Sequence, residues 1–398
     1  MKVVVVGAGP AGTRCAVRVA QRVPSAEVTL CGAELALPYD RVALSKLLAG
    51  EAEVADLITH KLADLSALGV AFRAGAAITG IDRAARCVVR RSGERLPYDR
   101  LVLATGSTAV RLPLPGAALP GVLAYRNMDD VRAMLRVAQG HGQAVVIGGG
   151  LLGLEAATGL AARGMKVTVV HAMGWPMERQ LDPEAGALLV KRLSKRGIRF
   201  VMPAATVALE GGQHVQGVRL DDGRLLPATL VVMSVGIRPN VTLAKDADLS
   251  VARGVVVDDA MRTSDAAIFA VGECTEHQGR TIGLVKPALE QAEVAAAAIA
   301  GEAARWLPAP DAAALKVSGT AVWSAGEIGA ERAEAIILRD EAAEEYRRLF
   351  LRDGRLVGAV LYGDTADAGY YMRLIAEQQP VRSREALAFG PAFVDTAA

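Results

Sequence analysis

Along the first third of the chain, apolar positions come in short continuous runs. Residues 2–6 read KVVVV, a β-branched run suited to a strand buried on both faces of a parallel sheet. A glycine turn, GAGPAG, follows, then a helical stretch from about Ala11 to Arg22 and a second apolar run, AEVTLC. The same order of strand, glycine turn, helix and strand returns in QAVVIGGGLLGLEAATGLAARGMKVTVVH. Three later runs end in small residues or an acid: YDRLVLATGS (98–107), LVVMSVGIRPN (230–240), with a turn at Arg238-Pro239-Asn240, and TSDAAIFAVGE (263–273). The proline-rich stretches VRLPLPGAALPG and EAARWLPAPDAAALK read as linkers. Beyond them, RLFLRDG and RLVGAVLYGD fit hairpin strands, and a helix is expected near Ala368–Gln379.

Composition narrows the class. A chain of 398 residues exceeds what one core accommodates, so two or three domains are expected. Hydrophobic residues make up 52% and aromatics only 4%, which describes a globular protein built from Ala, Val and Leu. Lys+Arg 45 against Asp+Glu 43 gives no electrostatic reason to expect nucleic acid or an anionic membrane as partner. The four cysteines, at 15, 31, 87 and 274, form no CxxC pair and no zinc or iron–sulfur spacing. They read as inert buried thiols in a reducing cytoplasm. MKVVVVGAGP reads as a buried strand rather than a signal peptide, and AEVAAAAIAG is too short to span a bilayer. A cytoplasmic protein without a metal centre is expected.

The glycine turns carry the first chemistry. Gly7 permits the tight turn, Gly9 lets the backbone approach a pyrophosphate, and Gly12 lets the helix pack close. The helix start offers unpaired N–H groups and a positive dipole end to the phosphates. Gly148, Gly150 and Gly153 repeat the arrangement. Two such units imply two nucleotides, one a tightly held flavin and the other a diffusible nicotinamide. Glu34 is the nearest carboxylate past the second strand of the first unit. In the second unit His171 stands where an acid would bind an adenosine ribose, and no arginine clamp for a 2′-phosphate is evident either, since the nearby cation Arg179 stands eight residues on in an expected loop; NADH is expected, with NADPH left open. Glu273, at a strand end, is placed to meet a ligand, and His277 lies four residues beyond it. In LPYDRVALSK (37–46), Asp40 is expected to cap a short helix that Gly50 ends. Lys286 and Glu290 read as a charge pair at a helix start.

GAGPAG, LPYDRVALSK, LATGS, GGGLLGLE, VGIRPN and TSDAAIFAVGE, in that order and over nearly the whole chain, resemble the two-nucleotide FAD/NAD flavoprotein oxidoreductases. HAMGWPMERQLD, RGVVVDDAMRTSDAAIFAVGECTEH and GLVKPALEQA resemble more narrowly the FAD module of NAD(P)H nitrite reductase large subunits. They equally resemble the electron-transfer subunit of assimilatory nitrate reductases, relatives of ferredoxin and rubredoxin reductases. The resemblance implies an α/β fold of two Rossmann-like domains, the NAD(P)H domain (111–240) inserted in the FAD domain (1–110 and 241–308). A C-terminal α+β domain (309–398) would complete it as a partner or homodimer face. By the same resemblance, Gly7, Gly9, Pro10, Ala11 and Gly12 would hold the FAD pyrophosphate, with Ala104, Thr105 and Gly106 beside it and Ile78 also against the cofactor. Arg41 and Lys46 would reach the pyrophosphate and the flavin ring, where Lys46 would balance negative charge, and Gly272 and Glu273 would meet the ribityl chain. Gly148, Gly150, Leu151, Leu152, Gly153, Glu155, His171 and Gly236 would line the nicotinamide coenzyme, and Lys286 and Glu290 would stand by the flavin face. The family's ribose acid would fall nearer Ala33, so either Glu34 substitutes or the contact is lost.

These residues predict an FAD-dependent NAD(P)H:acceptor oxidoreductase. It would pass electrons from NADH through FAD to an iron–sulfur partner: a nitrate or nitrite reductase component, a ferredoxin or a rubredoxin. Siroheme and a cluster would reside on another chain. Two alternatives remain at this level. A disulfide, peroxide or oxygen reductase would need a thiol near the flavin, where this chain has Ser45. An NADH-sensing flavoprotein would share the same motifs and differ by slow turnover.

Overall fold

The computed structural model describes residues 1–308, 312–317, 319–329, 333–381 and 383–394. Pro310 of the second expected linker and the last four positions of the expected C-terminal domain fall outside them. The first sheet is five-stranded and parallel, in the order Ile268–Ala270, Arg100–Leu103, Lys2–Val6, Glu27–Cys31, Val70–Arg73. Its central strand buries Val3, Val4, Val5 and Val6, as an apolar run in a parallel sheet requires. The helix Pro10–Arg22 packs through Cys15, Ala16 and Val19 into one core with Ala288, Ala292 and Ala295 of the helix Val285–Ile299. Alanine on the facing side lets two helices approach closely over the same sheet.

The second sheet repeats the plan, in the order Arg199–Val201, Lys166–Val170, Gln143–Ile147, Leu230–Met233, Val122–Ala124, all parallel. Strand Ile268–Ala270 joins the first sheet only after the second has been completed, so the second fold is inserted in the first. The chain leaves through Ser107–Ala109 and returns through Ile237–Pro239, and these segments pair antiparallel as a two-stranded crossing. Arg238 and Pro239 therefore lie in a strand, not in the expected turn; Pro239 is accommodated because a two-stranded ribbon consists only of edges.

A third, antiparallel sheet of five strands has the order 312–317, 320–326, 355–363, 345–352, 334–340, with the helix Ala368–Glu377 against it. It docks on the second fold. Tyr346, Phe350, Val360 and Tyr362 share a core with Leu181, Leu189 and Leu193. Asp182 caps the helix Pro183–Ser194 and also accepts from the Tyr346 hydroxyl at 2.6 Å and from Arg348 at 3.2 Å.

Within the described part of the second expected linker, Trp306 is buried and its backbone N–H donates to the Asp259 carbonyl. His277 is buried with Nε2 2.9 Å from Asp259 and its ring edge-on to Trp306, so its neighbours hold it beside that tryptophan.

In each Rossmann fold the strand ends close on a glycine turn. The Gly7 N–H donates to Cys31 and the Ala104 N–H to Val6, both at 2.8 Å; Gly148 to Val170 and Ser234 to Ile147 repeat these bonds at 2.8 Å. A Cβ on Gly12 would overlap the Gly7 carbonyl oxygen, and one on Gly153 would overlap that of Gly148. Gly12→Ala is therefore expected to cost about 2–3 kcal/mol by forcing the helix off the strand end. Urea unfolding of the variant against the parent measures it.

Candidate functional site

The carboxyl ends of the first sheet bring the flavin candidates together. Gly7 has φ +113°, and a Cβ there would overlap the Ala104 carbonyl, so the glycine turn and the Ala104-Thr105-Gly106 turn lie against each other. Gly9 is different: the nearest neighbour of a Cβ there would be the Arg41 side chain, at 3.7 Å. The middle glycine thus opens on free space edged by a guanidinium, a cradle that fits a pyrophosphate. Pro10 and Ala11 form the first turn of the helix, and a Cβ on Gly272 would lie 3.1 Å from Ala11. That contact sets the short turn Gly272–Cys274, and with it Glu273, beside the glycine loop. The Gly272 N–H donates to Oε1 of the buried Gln291 side chain at 2.7 Å.

Glu273 meets partners that the sequence did not announce. Its carboxylate accepts from Ser107 Oγ at 2.8 Å and pairs with the Arg126 guanidinium. Arg126 also donates to the Ser107 carbonyl, and its own carbonyl accepts from Arg41. The local sequence RNMDD fixes it. Asn127 caps the helix Met128–Ala138 and accepts from the Asp130 N–H, while the Asp130 carboxylate accepts from the N–H groups of Asn127 and Arg126. That capping box immediately after an arginine is the signal that would have found Arg126. Thr105 and Asn240 exchange two 2.8 Å bonds, tying the Thr105-Gly106 turn to the returning crossing.

The segment 37–46 is built differently from its reading. Asp40 does not cap the helix Leu44–Ala49, whose N-cap position is Ala43; Oδ1 of Asp40 accepts from the Val42 N–H, which tightens the turn before it. Gly50, at φ +84°, ends the helix as expected. Glu34 is held by Arg41 and by the Tyr39 hydroxyl at 2.7 Å, and that hydroxyl accepts in turn from the Met128 N–H. Glu34 therefore lies at the cradle, engaged with the arginine beside Gly9. The turn leading to Ile78 touches it through the Gly75 N–H, which donates to the Glu34 carbonyl. Lys46 is solvent-exposed. Lys286 and Glu290 lie in the first turns of the helix Val285–Ile299, but no ion pair joins them among the described residues, which corrects the expected charge pair.

In the second fold Gly150 has open space on its Cβ side, as Gly9 nearly does, and Leu151 and Leu152 stand half-buried at the helix start. Gly236, at φ +115°, is equally open at the far strand end. His171 lies under the glycine turn: Nδ1 accepts from the Gly149 N–H at 3.1 Å, and Nε2 stands 3.1 Å from Glu178. An acid is thus present after all, seven residues on and presented by the histidine. Glu155, on the second glycine-loop helix, has its carboxyl pushed up to about 7 by burial, and burial together with the Glu155 charge raises the Tyr125 phenol.

The four cysteines are free and buried. Burial pushes Cys15 up to about 12 and Cys31 up to about 11, and it raises Cys274. Suppressed in this way, Cys15, Cys31 and Cys274 offer no reactive thiolate to either cradle.

Comparison with known proteins agrees with this geometry. The family model of pyridine nucleotide-disulphide oxidoreductases matches residues 1–298, and that of the rubredoxin NAD+ reductase C-terminal domain matches residues 312–379. A nitrite reductase [NAD(P)H] of Bacillus subtilis is 39% identical over 96% of this chain and 48% of its own length. An assimilatory nitrate reductase electron transfer subunit of the same organism is 37% identical over 96% of this chain and 50% of its own. The chain thus spans about half the length of these two relatives. A rubredoxin-NAD(+) reductase of Pseudomonas putida is 33% identical over 78% of this chain and 82% of its own. Among solved structures, the ferredoxin reductase for the CYP199A2 system of Rhodopseudomonas palustris superposes with a TM-score of 0.90 at 30% identity, covering 100% of this chain and 99% of that one. No described helix is long and apolar enough to cross a membrane.

The raised Glu155 carboxyl has a stability consequence. The folded protein holds its proton above the ordinary 4.5, so stability falls as pH rises from about 4.5 to about 7 and is level beyond. Glu155→Gln is expected to match the parent near pH 4 and to exceed it by about 3 kcal/mol at pH 8, in unfolding titrations at each pH.

Proposed function

The chain belongs to the pyridine nucleotide-disulphide oxidoreductase family, and from that premise we propose that it is the electron-input module of nitrate or nitrite assimilation, working in the cytoplasm. It is an FAD-dependent NAD(P)H oxidoreductase; in the proposed role it takes electrons from NADH and delivers them to an iron–sulfur centre. The observation that carries the reading is a pair of glycine cradles of the same construction, with no reactive thiol at either. When bound, FAD supplies two-electron uptake from the nicotinamide and one-electron release to an iron–sulfur acceptor. The chain supplies position and charge. Gly7, Gly9 and Gly12 with Arg41 and Arg126 receive the FAD pyrophosphate, while Thr105, Gly106 and Glu273 border the ribityl side. Gly148, Gly150 and Gly153 receive the coenzyme pyrophosphate. Lys46 would supply a positive charge on the flavin side. The two Bacillus subtilis relatives support the nitrogen-assimilation role.

A rubredoxin or ferredoxin reductase of another pathway is the second reading. It is favoured by the C-terminal match at residues 312–379 and by the coverage of the Pseudomonas putida relative. In both readings the C-terminal sheet is the proposed partner or homodimer face.

Coenzyme choice follows from His171. Because Nδ1 accepts from Gly149, the ring proton sits on Nε2 and is donated to Glu178. Glu178 is then a carboxylate at the strand end, able to accept from ribose hydroxyls and repelling a 2′-phosphate. Anaerobic mixing of the yellow holoprotein with each coenzyme tests both claims. NADH is expected to bleach the flavin bands well ahead of NADPH, and Glu178→Arg to narrow that ratio by about tenfold. No bleaching with either coenzyme contradicts the proposal, and a steady-state panel of iron–sulfur acceptors separates the two pathways.

A further inference from the structure

The helix Leu44–Ala49, which carries Lys46, belongs by sequence to the flavin fold, yet it is seated on the coenzyme fold. Leu44, Leu47 and Leu48 are buried in one core with Leu154, Ala157 and Leu160 of the second glycine-loop helix, Leu151–Ala162. Gly159 of that helix is the socket: a Cβ there would stand 2.7 Å from Leu48 Cγ, so only glycine admits the leucine at this depth.

The residue that locks the seat is Arg163, just past the end of the same helix. Its Nε donates to the Leu48 carbonyl at 2.7 Å and its Nη2 to the Leu47 carbonyl at 3.0 Å. These are terminal carbonyls of a six-residue helix. The Gly50 and Glu51 N–H groups already fold back on Leu47 and Lys46, and Arg163 supplies the donor that Leu48 would otherwise lack. Gly50 is also the space the guanidinium occupies, since a Cβ on it would stand 3.1 Å from Arg163 Cζ. A helix this short is unstable by itself and takes its position from what caps it. A cation at a helix C-terminus is favoured by the dipole as well.

We propose that Arg163 is a positioning residue for electron transfer: by capping the Lys46 helix from the coenzyme fold, it fixes Lys46 relative to the nicotinamide site. The assignment rests on the reading that Lys46 acts at the flavin. The geometry makes it a coupling device. One helix, about 18 Å long, begins at the Gly150–Gly153 cradle and ends in the arginine that grips the flavin-side helix. Loosening its Arg163 end shifts the flavin-side helix relative to the cradle without touching the glycines that receive the coenzyme.

The test is a double-mutant cycle of Arg163→Met and Lys46→Met in the FAD-loaded full chain, with two readouts. The first is amide hydrogen exchange over residues 44–51, which does not depend on turnover; Arg163→Met is expected to speed it at least about tenfold. The second is the rate of flavin bleaching at saturating NADH, expected to fall about tenfold with the KM for NADH within about twofold. In the Lys46→Met background Arg163→Met should cost no further rate, since its effect runs through Lys46. Arg163→Lys, which keeps a donor and folds readily, should give intermediate exchange and rate, and it stands in if the methionine variant does not fold. Parent-like exchange or rate in the Arg163 variants, or losses that multiply in the double variant, would overturn the assignment. A parent-like rate in Lys46→Met alone would instead overturn the reading of Lys46 beneath it.

Discussion

Two backbone turns that leave no space for a side chain organise this molecule. At Gly7 and Gly12, and again at Gly148 and Gly153, a strand end, the end of its neighbour and the first turn of a helix converge until a Cβ would overlap a carbonyl oxygen. Closing the backbone this tightly does two things at once. It packs the helix onto its sheet, and it leaves the helix's first N–H groups aimed at the opening beside the middle glycine. Everything charged around the first cradle then falls into place by contact with that turn. Ala11 seats Gly272 and hence Glu273; the Ala104 turn brings Thr105; the space beyond Gly9 is edged by Arg41. Binding capacity here is a by-product of packing, which is why the two folds share it so closely.

What the two folds do not share is the segment between them. The flavin fold lends its helix Leu44–Ala49 to the core of the coenzyme fold, and the C-terminal sheet joins that same core through Tyr346, Phe350 and Tyr362. Three units therefore meet in one apolar cluster around the second glycine-loop helix. Rigid packing of this kind suits a reaction in which the protein contributes placement rather than acid–base chemistry. Cys15 and Cys31 are buried, with their acidity suppressed by desolvation.

Much of this was legible in the chain, for a physical reason. Glycines at fixed spacing between an apolar run and a helix report backbone constraints, and backbone constraints are local; hence Gly7, Gly9, Gly12 and their second copies could be placed from sequence, as could Ala104–Gly106 and Glu273. Residues that act through long-range contact could not. Arg126, Gln291 and Arg163 reach the site from segments whose proximity only the tertiary fold creates, although the capping box after Arg126 was a local sign. Asp40 misled because its side chain accepts from Val42, in the turn ahead of the helix, and the helix begins only after Ala43. His171 misled because the missing acid was sought at the strand end itself, whereas Glu178 arrives there by the next loop turning back. His277 looked close to the flavin by sequence distance, but its strand runs on into a core that Trp306 closes.

The central claim is that electrons pass through the flavin with no thiol pair taking part beside it. Anaerobic titration of the holoprotein with dithionite, followed through the flavin bands and by thiol counting at the end point, tests it most directly. The account predicts full bleaching at two electrons per FAD with no thiols newly exposed. Uptake of four electrons per FAD, with a pair of thiols appearing, would contradict it.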